Sequence, residues 1–251
     1  MATYGSRQSG TSPDDAASSR NLPGKFLDLL TANQKISLLE LGTIRVYYPS
    51  QILMREGNTG DVVIVILRGL AKVVVVSEGG KEVLLGLRGD GDLVGEMAVL
   101  SSRSRSATVI AATELQGCVI KAASFVSYLE RSAQVANRVS DIMADKLRAA
   151  NRRRLEFNAY PAEGRVARIL VEVSSRYGHR EGSAWRIGPE ITQADLASLA
   201  SASVRTVEKV LRTLEGAGLV VRRRRNLIVT DMDALELRCR SLLAIRPGRD
   251  Y

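Results

Sequence analysis

The chain has 251 residues, 45% hydrophobic and 25% charged, with a formal net charge of +9. That length and balance suit one large globular domain or two ordinary ones and exclude a disordered or fibrous protein; no apolar run reaches the ~18 residues of a membrane span. The positive excess points to a polyanionic partner, nucleic acid or an anionic membrane surface.

Residues 1–21 are rich in Ser, Thr, Asp and Gly, lack the apolar stretch of a secretory signal, and read as a disordered tail. From Thr43 to Ile120, β-branched runs (Ile44–Tyr48, Val62–Leu67, Lys72–Val76, Val83–Leu85) alternate with glycines. This spacing predicts short strands in an antiparallel sandwich or barrel, with a hairpin at Gly79-Gly80 where both residues tolerate positive φ. Between Ser132 and Phe157, Val135, Val139, Ile142, Met143, Leu147 and Ala150 recur every three or four residues. They predict one amphipathic helix of about 39 Å at ~1.5 Å per residue. Its narrow stripe favours a homodimer seam over packing within the chain. Pro161 ends it.

Helical spacing returns at Gly164–Tyr177, and Thr192-Gln193-Ala194-Asp195 opens another helix with a capping-box pattern. Ser203 caps the next, which stops at Gly216-Ala217-Gly218. Small Ala197 allows a close helix crossing, and Leu196, Ala200, Val207 and Val210 supply a shared core, as a helix-turn-helix requires. The candidate DNA contacts are Thr192, Gln193, Ser203, Val204, Arg205, Thr206, Glu208, Lys209 and Arg212. A hairpin follows whose Arg222, Arg223, Arg224 and Arg225 suit a wing that grips phosphates.

A second constellation lies upstream. In Gly91-Asp92-Leu93-Val94-Gly95-Glu96-Met97-Ala98-Val99-Leu100, a glycine permits close backbone approach and Glu96 offers a carboxylate to a ribose hydroxyl. About ten residues on, Arg105 and Ser106 offer a charged fork and a hydroxyl to a phosphate. One wall for sugar and one for anion suit a cyclic nucleotide. Cys118 and Cys239, the only cysteines, form no C-x-x-C pair and read as small buried hydrophobes in a reducing cytoplasm. His179 is the only histidine and reads as a loop residue. No metal site and no nucleophile–base set is expected, hence no enzyme.

These motifs, G-x-L-V-G-E-x-A-x-L…R-S-A-T-V with a helix-turn-helix downstream, resemble the catabolite activator (Crp/Fnr) family of transcription regulators from about Leu22 to Leu235. The resemblance implies an α+β chain: a jelly-roll-like cyclic-nucleotide-binding β-roll over residues 22–131, a dimerisation helix over 132–160, and a winged helix-turn-helix over 161–251. It assigns Gly95 and Glu96 to the ribose and Arg105 and Ser106 to the cyclic phosphate, with Met97, Ala98 and Ala107 as further ligand-binding positions. It implies cAMP as allosteric ligand without any other cofactor. The implied partners are an inverted-repeat operator in double-stranded DNA, a second copy of the chain, and RNA polymerase, in the cytoplasm.

Two departures stand out. Where cAMP-responsive members carry two hydroxyl residues on the dimer helix, this chain has Ala150 and Asn151. That leaves cGMP, a cyclic dinucleotide or ligand-independent architectural binding as alternatives. Val204, Arg205 and Lys209 replace the family's best-known reading residues, and Ser201 replaces a common turn glycine.

Overall fold

The computed structural model describes residues 25–224 and 226–244. The expected tail and Arg225 lie outside them.

Eight strands form two antiparallel sheets: β1 (Gly42–Tyr47), β2 (Ile52–Met54), β3 (Val62–Arg68), β4 (Ala71–Val76), β5 (Glu82–Arg88), β6 (Leu93–Val94), β7 (Thr108–Ala111) and β8 (Leu115–Lys121). Their orders are β1-β8-β3-β6 and β2-β7-β4-β5. Between the sheets lies a core of Met54, Ile64, Ile66, Val94, Val109 and Leu115. The outer face of the first sheet is also covered, because Val63, Val65, Cys118 and Ile120 pack against helices. Strand β3 is thus buried on both faces, which explains why it reads as an unbroken apolar run rather than an alternation. At the expected hairpin only Gly80 has positive φ (75°); its amide closes the turn on the Ser77 carbonyl at 2.8 Å.

The covering helices are α1 (Ala32–Leu39), α3 (Ala122–Arg131) and the first half of α4 (Ala133–Ala159), with the short α2 (Glu96–Ser101) inside the cassette, the segment 91–109 that carries Gly95, Glu96, Arg105 and Ser106. The long helix is as expected, but its seam needs correcting. Val135, Val139 and Ile142 are buried with Phe26, Leu38 and Phe125 of the same chain, whereas Leu147 and Leu155 are 62% and 60% exposed. The stripe therefore packs on its own β-roll first, and beyond Met143 its Leu147 and Ala150 border a cavity and leave Leu147 largely exposed.

After Pro161 come α5 (Ala162–Tyr177), β9 (His179–Glu181), β10 (Ala184–Ile187), α6 (Gln193–Leu199), α7 (Val204–Gly216), β11 (Val220–Arg223), β12 (Asn226–Val229) and α8 (Met232–Ala244). The strands form one sheet in the order β11-β12-β10-β9. His179 is therefore an exposed strand residue, not a loop residue. The capping box on α6 is complete: Thr192 Oγ1 accepts from the Asp195 amide at 3.1 Å, and Asp195 Oδ2 accepts from the Thr192 amide at 2.7 Å. Ser203 caps α7 through the Thr206 amide at 3.1 Å. Both cysteines are free and buried. No described helix is long and apolar enough to cross a membrane.

Candidate ligand chamber and nucleic-acid interface

Gly95 precedes α2 with φ +87°, and an added Cβ would lie 2.6 Å from Arg105 Nη1, so backbone conformation and close approach both demand glycine there. Glu96 is 2% exposed, and its Oε1 accepts from Lys146 Nζ of α4 at 2.7 Å. Lys146 also donates to the Leu93 carbonyl at 3.1 Å. Burial pulls the Lys146 pKa below its usual value, opposed by the Glu96 charge. Arg105, 5% exposed, turns inward: Nη1 donates to the Gly95 carbonyl at 2.8 Å, and Nη2 to the Val62 carbonyl at 2.6 Å. Asp61 stands 3.4 Å from the same nitrogen. Ser106 is exposed, and Ala107 and Ala98 lie beside Arg105 in the same recess.

The cassette opens into a cavity of about 630 Å³ bordered by Met97, Ser106 and Ala107. Its second wall is α4, with Met143, Lys146 and Ala150. Asn151 lies outside that lining; the resemblance has the two positions act from different subunits, and within one chain only Ala150 faces the cavity. The third wall comes from α5, with Glu172, Arg176 and Tyr177. Lys146 could have been anticipated, since it lies one helical turn before Ala150 on the same face. No sequence signal announced the α5 wall.

That wall exists because the C-terminal region docks on the edge strand β5. Lys72 Nζ meets Asp195 Oδ2 at 2.7 Å, and Arg176 Nη2 meets Asp92 Oδ1 at 3.0 Å. Ser198 Oγ accepts from the Leu84 amide at 2.8 Å, and Tyr177 OH donates to the Leu87 carbonyl at 2.8 Å. Burial pushes the Tyr177 pKa up to about 12. Leu70, Val74, Leu84 and Leu87 of the β-roll share one core with Leu196, Val207 and Leu214. Such an edge strand would otherwise present unpaired backbone groups.

In the helix-turn-helix, Leu196, Ala197, Ala200, Val207 and Val210 are all buried. Ser201 holds φ +48° in the turn. Val204, Arg205, Glu208, Lys209 and Arg212 are exposed along α7, whereas Thr206 is half-buried under the Ser203 cap. Lys209 lies 3.3 Å from Glu163, and Arg212 lies 3.4 Å from Glu208. Thr192 is held by its capping box, while Gln193 lines a groove of about 250 Å³ with Leu211, Arg223 and Arg224. The arginines of the wing divide by what they face. Arg223 and Arg224 are exposed, but Arg222 folds back on α7, its Nε 2.7 Å from Glu215 Oε2. An intramolecular carboxylate so placed competes with a phosphate for the same fork.

Residues 44–132 match the cyclic nucleotide-binding domain model, and residues 164–238 match the Crp-like helix-turn-helix domain model. The chain belongs to the Crp/Fnr family of transcriptional regulators. It is 26% identical over 185 residues to the CRP-like cAMP-activated global transcriptional regulator of Mycobacterium tuberculosis, covering 74% of this chain and 83% of the relative. FixK2 from Bradyrhizobium japonicum superposes with a TM-score of 0.69 at 19% identity, over 78% of this chain and 96% of that one. The c-di-GMP responsive regulator CLP of Xanthomonas campestris gives 0.63 at 19% identity, over 79% and 99%. This Crp/Fnr regulator is thus a ligand-modulated DNA-binding protein, in a family of regulators rather than enzymes.

Proposed function

We propose that this regulator acts as a homodimer on an inverted-repeat operator and that a cyclic nucleotide in the chamber between cassette, α4 and α5 sets its DNA affinity. The observation that carries the reading is the shared cavity, whose walls come from sensor, long helix and reader together. A ligand there touches each part whose relative position matters for DNA. The division into residues 22–131, 132–160 and 161–251 belongs to the same reading. The exposed Leu147 and Leu155 supply the second half of the seam, where a second copy buries them.

Binding is an exchange of partners. A cyclic phosphate draws Arg105 from the neutral carbonyls of Gly95 and Val62 to an anion, a stronger acceptor for a guanidinium. A ribose hydroxyl donates to Glu96 beside Lys146. The reader then responds through the docking contacts at Lys72–Asp195 and Arg176–Asp92, which are made again or broken. Arg205 reads bases from the start of α7, and Arg223 and Arg224 hold phosphates.

cAMP is the ligand that the M. tuberculosis relative suggests by its name. A guanine nucleotide or cyclic dinucleotide is the second reading. Ala150 forfeits a base hydrogen bond worth ~0.5–1.5 kcal/mol, and CLP, of the same fold, responds to c-di-GMP. Calorimetric titration of cAMP, cGMP and c-di-GMP, each with and without operator DNA, tests the reading. Reciprocal linkage requires DNA to change nucleotide affinity by the factor by which nucleotide changes DNA affinity. Equal affinities with and without DNA, for every nucleotide, would leave ligand-independent architectural binding instead.

A further inference from the structure

Arg165 lies in the first turn of α5, immediately after the Tyr160-Pro161 junction that ends the long helix. Its guanidinium reaches two helix ends at once. On one side, Nη1 donates to the Tyr160 carbonyl at 2.7 Å and approaches the Phe157 carbonyl at 3.4 Å. The guanidinium carbon also stands 5.1 Å from the Phe157 ring centroid. On the other side, Nε donates to the Ala200 carbonyl at 2.9 Å and Nη2 to the Ser201 carbonyl at 2.8 Å.

Tyr160 is the C-cap of α4 and Ala200 the C-cap of α6. Both helices therefore end on carbonyls that lack intrahelical partners and carry the negative end of a dipole. A planar fork with five N–H groups can serve both ends; a lysine ammonium, as a point charge, cannot span them. The second end is also the turn of the helix-turn-helix. There Ser201 sits in the left-handed region that disfavours a side chain, and Arg165 holds the carbonyls on either side of its Cα. Glu156–Arg168, 3.1 Å apart, also links α4 to α5, but it does not reach that turn.

We infer that Arg165 is the positioning residue through which the end of the long helix sets the turn, and hence the angle of the reading helix α7. A shift in the last turn of α4 moves the Phe157 and Tyr160 carbonyls, the fork follows, and the Ala200-Ser201 carbonyls follow the fork. This deepens the proposed function, on which it rests for the role of nucleotide; the direct link itself is testable without any nucleotide.

The nucleotide-free test is a double-mutant cycle of Phe157→Ala and Arg165→Ala, read as hydrogen exchange at the Ala202 amide, which bonds the Ala197 carbonyl across the turn at 2.9 Å. Phe157→Ala should alter that exchange when Arg165 is present and leave it unchanged in the Arg165→Ala background. No effect of Phe157→Ala in the Arg165 protein, or the same effect in both backgrounds, overturns the inference.

The second readout is the ratio of operator affinities with and without cAMP. Coupling in the usual ~5–150-fold range should fall to about twofold or less in Arg165→Ala and Arg165→Lys, with calorimetric cAMP affinity in the absence of DNA unchanged. Adding Ser201→Gly to Arg165→Ala should recover DNA affinity but not the ratio. Equal loss of DNA affinity with and without cAMP, at the wild-type ratio, would make Arg165 a structural staple and refute the inference. A wild-type ratio of one for every nucleotide would refute the proposed function, while the exchange cycle still decides the role of Arg165.

Discussion

In the sensor the charged groups of the ligand recess are paired inside the protein, whereas in the reader Arg205, Arg223 and Arg224 stand in water. Glu96 and Arg105 are almost fully buried and already hold Lys146 and backbone carbonyls. Arg205, Arg223 and Arg224 are exposed. The difference follows from what each must bind. A small anion in a recess has to be met by desolvated groups, and desolvated charges need interim partners. A DNA backbone arrives with its own field and counterions, so solvated arginines on the surface suffice. Ligand binding is therefore an exchange of bonds, whereas DNA binding depends on delivering a ready surface at the right angle.

The largest expected effect breaks the sensor. Arg105→Ala should weaken nucleotide binding at least ~100-fold in calorimetry, since two charge-assisted hydrogen bonds at ~1.5–3 kcal/mol each are lost. Its melting temperature should also drop, because the Gly95 and Val62 carbonyls lose their donor. An affinity within about tenfold of wild type would show that Arg105 keeps its inward bonds when ligand binds.

A smaller effect separates two kinds of arginine in the reader. Arg205→Ala should change discrimination at one base-pair position by ~1–3 kcal/mol. Arg223→Ala should weaken all sequences alike and lower the salt slope by about one. Fluorescence anisotropy across operator variants and a salt series distinguishes them. Uniform weakening by Arg205→Ala would remove it from the bases.

The smallest effect concerns the boundary between the halves. Lys72→Ala leaves Asp195 capping Thr192 but frees α6 from β4, at about the worth of one part-buried pair, ~0.5–1.5 kcal/mol. The Leu84 amide, held by Ser198, should then exchange roughly two- to tenfold faster. Unchanged exchange would assign docking to the shared apolar core and the remaining polar contacts, without Lys72.

Features that depend on near neighbours were legible. The Thr192–Asp195 box, the Ser203 cap, the Pro161 break and the apolar run of β3 each follow from local chemistry. Helices α3 and α8 and strands β9 and β10 were not anticipated. The two strands are short, and neither alternates cleanly enough to stand out before β12 pairs with β10. In the candidate site the residue types and spacing were readable, while their directions were not. Whether Arg222 faces a phosphate or Glu215 depends on the packing of the wing against α7.

The sequence by itself determined the order of parts and which residues carry charge and hydroxyls at each end, because these are properties of composition and short spacing, and its motifs carried the resemblance to the family. Only the tertiary structure decided what those groups face. Lys146 reaches Glu96 across 50 residues, Asp195 reaches Lys72 across 123, and Arg165 spans to Ser201 across 36. Contacts at such separations arise when whole elements pack, and no local pattern records which surfaces will meet.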